Sequence, residues 1–388
     1  MNRFPSLDIF RGATVALMIL VNNPGNWGQL FEPLAHAPWH GCTPTDLVFP
    51  FFLFAVGNAM SFVMPKLEQA GTAAVMKKVW KRVIIIFAIG LFLNWSPFIK
   101  WDGENLVFKY WVDPKNPESG IRIMGVLQRI ALAYGFAAMA AYFLKIRGSA
   151  YLTVVILLGY WLVCILGNSA DPYSLNGWFG TAIDKNILGV AHLYKGEGLP
   201  FDPEGLMSGF TPIAQVLFGY FVGHYIQSSG RSYEMLAKLL MAGVLLVASG
   251  YAWDFGFPIN KKIWTSSYVL YTSGLATVIL SVLLYLMEFK KASGWWVKFF
   301  DVFGKNPLFI FVLSGFLPRV IALFRWETGT DEAGKKLYTS ALPWFYEHVC
   351  KPVSSNLKIG SFLYALVFLA FMWSLAYWMD KKKWYVKV

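Results

Sequence analysis

The chain has 388 residues, 56% of them hydrophobic and 18% aromatic but only 14% charged, with a mean hydropathy of +0.48. A soluble protein of this length exposes more charge, and the apolar runs are continuous rather than alternating with period two, which excludes an outer-membrane barrel. The net charge of +12 would suggest nucleic acid in a soluble protein; here it reads as basic loops against anionic lipid headgroups, with no nucleic-acid partner.

Apolar runs close to the roughly 20 residues that cross a bilayer recur along the whole chain, so an all-α polytopic membrane protein of about ten transmembrane helices is expected. Ser6 is placed to cap the first helix and Asp8 falls in its first turn. MNRFPSLDIFRG lacks the basic region, apolar core and cleavage site of a removed signal peptide, and is expected to be the mature cytoplasmic end of that helix. Helix one is expected to run to about Asn23, where Pro24-Gly25 stops it. A loop with His36, Trp39 and His40 leads to helix two, from about Asp46 to Met64. Lys66, Lys77, Lys78, Lys81 and Arg82 follow, and helix three ends near Trp95 before a polar loop with Asp102, Glu104, Asp113 and Glu118.

Helix four starts near Ile121 and carries GVLQRIALAY, which places Gln128 and Arg129 in an apolar run. Lys145 and Arg147 mark the turn to helix five, which ends at about Gly167, and a loop of about 40 residues reaches Met207. Helix six ends near Gln227 and helix seven near Trp253; FGFPINKKIW then opens helix eight at Thr265, Ser266, Ser267 and Tyr268. Helix nine follows FGKNP and bears Arg319 and Arg325 at its far end; helix ten closes in a basic tail from Asp380. The short loops on one side are rich in Lys and Arg, while the long loops on the other carry as much acid as base, which puts both termini in the cytoplasm. The chain reads as a single domain, 1–388, with no visible internal repeat.

Cys42, Cys164 and Cys350 are the only cysteines. No pair has metal-ligand spacing, no metal is expected, and only Cys42 with Cys350 could form a disulfide. Walker A, HExxH and GxSxG signatures are absent, which argues against nucleotide and zinc hydrolysis.

Polar groups concentrate between Val21 and Gly57. A neutral imidazole such as that of His36 can take a proton from an amine or attack an acyl group itself. An interfacial, amphipathic histidine is the competing reading. Asp46 either orients that imidazole or only caps helix two behind Thr43 and Thr45. Asn22 and Asn23 either bind a developing oxyanion or satisfy backbone groups freed by Pro24. Arg129, with Gln128, has to pair or face water, and an anionic ligand or a buried carboxylate explains it equally well. Arg3, Arg11, Lys305, Lys382 and Lys383 suit a polyphosphate, and are also what the positive-inside rule produces with no ligand.

LDIFRG, VNNPG, HAPWHGCTPTDLVFPFFLF, GVLQRIALAY, FDPEG, NKKIWTSSYVLYT and FGKNPLFIF, in that order, resemble the transmembrane domain of heparan-α-glucosaminide N-acetyltransferase and its bacterial homologues. The resemblance spans nearly the whole chain. It implies transfer of acetyl from cytosolic acetyl-CoA to the amine of a terminal glucosamine on the far side of the membrane, with His36 as the catalytic histidine, Asn22 as its associated asparagine and Asp46 as the acid of the DLVFP block. It also implies a bacterial cytoplasmic (inner) membrane and a homodimer. The loop between Asn22 and His36 is longer than in the animal enzyme, and no counterpart of the family's N-terminal luminal domain is expected. A bacterial amino sugar is therefore expected as acceptor rather than heparan sulfate.

On that reading Arg11, Lys305, Lys382 and Asn306 hold the donor at the inner mouth, and Gln128 and Arg129 serve it within the bundle. Trp39, Asn260, Lys261 and Ser267 meet the sugar at the outer mouth. The rival is a permease for amino sugars or cell-wall sugar fragments, with the same groups lining a path.

Overall fold

The computed structural model describes residues 4–332 and 334–386; Arg3 lies outside them. The protein is mostly helical. Helix α1 (Pro5–Asn22) is followed by α2 (Val48–Gln69) and α3 (Thr72–Trp95). Next come the strands β1 (Ile99–Asp102), β2 (Asn105–Phe108), β3 (Val112–Asp113) and β4 (Asn116–Gly120), then α4 (Val126–Gly167) and the short α5 (Gly180–Leu188). The second half holds α6 (Thr211–Ser229), α7 (Tyr233–Asp254), α8 (Ser266–Leu284), α9 (Trp295–Lys305) and α10 (Pro307–Ile321). It ends with β5 (Arg325–Thr330), β6 (Lys336–Ser340), α11 (Ala341–Phe345) and α12 (Leu357–Lys381).

Helix α1 ends where the sequence demands. Asn23 precedes Pro24 and leaves the helical region at φ −132°, ψ 56°, because the proline ring crowds a preceding helical residue. Its side-chain amide donates to the Ile19 carbonyl at 3.0 Å, satisfying an acceptor that the broken helix frees. Helix α4 is two helices joined without a gap: Lys145, at φ 56° and ψ −170°, breaks it at the turn expected beside Arg147.

Among the described residues six helical stretches are long and apolar enough to cross a membrane: Pro5–Asn22, Pro44–Gln69, Val126–Gly167, Tyr233–Asp254, Ser266–Phe289 and Leu357–Lys381. The α9–α10 pair, bent by 81°, makes seven if it counts as one span. The shortfall from about ten has a local cause. Helix α3 carries Lys77, Lys78, Lys81 and Arg82 and α6 carries Gln215, His224 and Gln227, which lower their hydropathy, and α4 contains the two helices expected on either side of Lys145. The all-α expectation also needs correcting, since the long loops hold three two-stranded antiparallel hairpins, β1–β2, β3–β4 and β5–β6. The guanidinium of Arg325 lies 3.9 Å from the ring centres of both Trp101 and Tyr338, which clamps the first hairpin to the third.

Close packing depends on small residues. A methyl group added at Gly57 would fall 1.8 Å from the Val216 carbonyl oxygen, and one at Gly219 would fall 2.0 Å from that of Phe54. Backbones of α2 and α6 therefore touch, as small residues allow in helical membrane bundles. By contrast Tyr151, Val155 and Leu166 on α4 and Met241 and Leu245 on α7 are exposed, an apolar outer face suited to lipid.

Candidate active site

The segment before α2 is shaped by its turn chemistry. Pro44–Leu47 forms a single 3₁₀ turn, closed by Asp46 N–H donating to the Thr43 carbonyl at 2.9 Å. The Asp46 carboxylate folds back over that turn. Its Oδ2 accepts from the backbone N–H groups of Thr43 at 3.1 Å and Ala37 at 3.0 Å, and from the Thr43 hydroxyl at 3.1 Å. Oδ1 lies 2.7 Å from His36 Nδ1 and 3.3 Å from Lys261 Nζ. Asp46 thus caps the turn and hydrogen-bonds the imidazole at once.

Lys261 Nζ also lies 3.1 Å from His36 Nδ1. An ammonium only donates, and a carboxylate 2.7 Å away leaves no room for two lone pairs, so the shared proton belongs to Nδ1 and Lys261 pairs with Asp46. The imidazole is thereby fixed as the Nδ1–H tautomer, with its Nε2 lone pair free; among the described residues Nε2 has no hydrogen-bond partner. Asp46 is 1% exposed while the His36 side chain is 45% exposed, which places a buried charge behind an accessible base.

Lys261 reaches this pair because two remote loops are stitched together. Gly41 and Asn260 form a parallel bridge, with Gly41 N–H donating to the Ile259 carbonyl at 2.7 Å. Gly41 sits at φ 102°, a conformation that favours glycine. Lys262 adds a second clamp, donating to the Pro38 carbonyl and to Glu197 Oε2, each at 2.6 Å. From below, the Tyr268 hydroxyl donates to the Asp46 carbonyl at 2.5 Å.

These contacts sort the expected sugar-binding residues. Lys261 belongs to the His36–Asp46 centre. Asn260 and Ser267 are fully buried. Asn260 Oδ1 accepts from Ile263 N–H at 3.0 Å, and Ser267 pairs with the Thr265 hydroxyl at 3.1 Å, so both brace the site from behind. Trp39 donates to the Tyr173 carbonyl at 2.8 Å and packs on Phe201, which makes it a wall. Burial, opposed by Asp254, lowers the pKa of His40. The Cys42 thiol is pushed up to about 12 by burial and then by the Asp46 charge, against the pull of Lys261. At neutral pH it is therefore held as the thiol, the less nucleophilic form. All three cysteines are free, so Cys42 and Cys350 are not joined.

Asn22 stands elsewhere. It ends α1 on the wall of a cavity of about 430 Å³ shared with Gln128, Arg122, Asn94 and Arg319. His36 does not line this cavity. A smaller cavity of about 130 Å³ shares Leu127 and Phe311 with it and continues to Arg82 and Arg11. A third, of about 330 Å³, shares Arg11, Ala55 and Ala59 with the second. Gln128 is held by donation to the Ile123 carbonyl at 2.9 Å.

Among the described residues Arg129 has no carboxylate at ion-pair distance. Its guanidinium lies 5.1 Å from the Trp264 ring centre and donates to the Gly205 carbonyl at 3.1 Å and to the Ser208 hydroxyl. The FDPEG loop instead pairs with Arg122, which binds Asp202 Oδ2 at 2.8 Å and Glu204. Arg122, Asp202 and Glu204 escaped sequence reasoning as a unit, and the presence of two acids in FDPEG was the available signal. Despite burial, the Arg122 charge holds the Glu204 carboxyl below its usual range.

At the opposite end of the bundle, Asn306 is committed to the C-terminal tail. It donates to the Trp384 carbonyl at 2.8 Å and accepts from Val386 N–H at 2.9 Å. Lys305 pairs with Asp301 at 2.7 Å and Asp380 at 2.9 Å, and Lys382 lies exposed beyond α12. None of the three lines the cavities described above.

A sequence profile described as heparan-alpha-glucosaminide N-acetyltransferase, catalytic, matches residues 3–252. The mouse (Mus musculus) protein named heparan-alpha-glucosaminide N-acetyltransferase is 26% identical over 397 residues, covering 86% of this chain and 56% of the relative. Its human (Homo sapiens) counterpart is 25% identical, covering 87% and 56%. The chain thus spans little more than half the length of the curated relatives it matches. Asn22, His36 and Asp46 all fall inside the matched stretch. The chain belongs to the heparan-alpha-glucosaminide N-acetyltransferase catalytic family.

Proposed function

We propose that this protein is a transmembrane acetyltransferase that takes acetyl from acetyl-CoA on the cytoplasmic side and delivers it to the amine of a glucosamine-like sugar on the other. The observation that carries the reading is the His36–Asp46–Lys261 centre, whose accessible imidazole offers a free Nε2. The cavities that share walls between Arg11 and Asn22 support a path for the donor. Eleven residues of α1 separate those two side chains, roughly 16 Å at 1.5 Å per residue, a span that an extended pantetheine arm covers.

In this mechanism the sugar amine attacks the thioester carbonyl while its proton passes to His36 Nε2. Asp46 stabilises the imidazolium that forms. Asn22, on the wall of the cavity of about 430 Å³ that His36 does not line, is assigned to the donor's path rather than to the oxyanion. Collapse of the tetrahedral adduct breaks the carbon–sulfur bond, and the leaving thiolate takes the proton from His36, giving amide and free thiol. An acetyl-imidazole route uses the same Nε2 as nucleophile. The high pKa of Cys42 weighs against a cysteine carrier. Ten crossings, counting α3, α6, α10 and both arms of α4 as spans, with both termini cytoplasmic in a bacterial inner membrane, complete the proposal.

Purified protein incubated with radiolabelled acetyl-CoA and glucosamine should yield N-acetylglucosamine. Neither product nor thioester cleavage, together with uptake of amino sugar by proteoliposomes, would establish the permease instead.

A further inference from the structure

The basic candidates for the donor's phosphates are poorly suited by their surroundings. Arg11 is paired with Asp8, and Lys305 stands between Asp301 and Asp380, so their charges are already balanced. Another cavity, of about 350 Å³, has cations without that compensation. It is lined by Lys78, Lys81 and Arg82 of α3, by Met60, Val63, Met64 and Leu67 of α2, and by Tyr134 of α4.

Lys78, Lys81 and Arg82 stand at i, i+3 and i+4, so three like charges share one helix face, an arrangement that is destabilising without a counter-anion. Among the described residues none of them has a carboxylate within ion-pair distance. The acid next to this wall, Glu68, is bound to Lys145 at 3.1 Å. The Arg82 guanidinium lies 4.7 Å from the Tyr134 ring centre, and its Nε is buried with no hydrogen-bond partner. Arg82 also lines the 130 Å³ cavity that leads toward Asn22. One arginine therefore borders both a cationic mouth and the inner passage.

Building on the donor reading above, we propose that the cavity between α2, α3 and α4 is a phosphate-binding mouth, in which Lys78, Lys81 and Arg82 hold the phosphates of the nucleotide thioester while its pantetheine arm passes Arg82 into the bundle. The headgroup phosphate of an anionic lipid offers the same chemistry, and the strip of Met60, Val63, Met64 and Leu67 would accept an acyl chain, so the test separates the two sources.

Wild type, Lys78→Gln/Lys81→Gln, Arg82→Gln and the control Lys238→Gln, an exposed lysine paired with Glu234, are compared in nanodiscs of phosphatidylcholine alone. Each is assayed with acetyl-CoA and with acetyl-pantetheine, which keeps the thioester and lacks the nucleotide. Variants that keep the wild-type thermal transition should show a KM for acetyl-CoA raised about tenfold or more, kcat within about twofold, and an unchanged KM for acetyl-pantetheine. An unchanged acetyl-CoA KM in folded variants overturns the assignment. So does a KM effect that appears only when phosphatidylglycerol is present, which would give the cavity to a lipid headgroup. Wild type that turns over no acetyl-CoA overturns the donor reading itself, an outcome distinct from active wild type with indifferent variants.

Discussion

Replacing Asp46 by asparagine tests the centre at its narrowest point. The carboxylate is divided between two sets of partners: Oδ2 faces the backbone N–H groups of Ala37 and Thr43 at 3.0 and 3.1 Å, and Oδ1 faces His36 Nδ1 at 2.7 Å. An amide has one oxygen. The two backbone donors cannot change character, whereas imidazole can, so the amide oxygen turns to the backbone and the NH₂ turns to His36. Nδ1 must then accept, the proton moves to Nε2, and the free base is lost. Lys261, 3.3 Å from Oδ1, simultaneously loses its counter-charge and opposes any imidazolium. Loss of general-base catalysis is worth roughly two to four powers of ten in kcat, about 3–5 kcal/mol in the barrier. Initial rates of acetyl transfer from acetyl-CoA to glucosamine should fall by that factor while KM for the donor stays near wild type. A folded Asp46→Asn variant within about threefold of wild-type kcat would refute the tautomer reasoning.

Three further outcomes are expected. His36→Ala should abolish transfer yet leave the thermal transition nearly unmoved, because the ring is half-exposed and Asp46 keeps Lys261 and the Ala37 and Thr43 N–H groups as partners; a marked drop in melting temperature would make it a structural residue. Gly57→Leu should lower the melting temperature in detergent by several degrees, since overpacking costs about 1–3 kcal/mol and a Cβ there would fall 1.8 Å from the Val216 carbonyl oxygen. Asp184, buried and then repelled by Asp202 while Leu206 and Met207 N–H groups pull the other way, is raised to about 6 from 3.8. Its folded pKa exceeds the unfolded one, so its contribution is present below pH 3.8 and is lost as pH rises through about 6. Asp184→Asn should flatten that part of the stability profile, measured as melting temperature from pH 4 to 8; a profile that keeps its wild-type slope would remove Asp184 as the cause.

Much of this protein was legible in the chain because the responsible physics is local. Continuous apolar runs identify membrane helices, Pro24 stops α1 through its own ring, the Lys145–Arg147 turn shows in composition, and Thr43 to Asp46 has the spacing of a capped turn. The resemblance carried Asn22, His36 and Asp46 residue by residue. Local rules were less informative in the long loops, where hairpins β1–β2, β3–β4 and β5–β6 are too short for periodicity to register.

Tertiary structure decided the rest, because partner choice depends on which distant segments packing brings together. Lys261 lies 225 residues from His36, and nothing near NKKIW distinguishes a lysine that pairs with Asp46 from one that meets a sugar. Asn260 and Ser267 became supports for a turn, Arg129 settled on Trp264 and the FDPEG loop, and Asn306 went to the tail. The cavities joining Arg11 and Arg82 to Asn22 exist only as spaces between helices. Composition fixes how much polar chemistry a membrane chain carries; the crossing of helices fixes which of those groups face one another and which are left without a counter-charge.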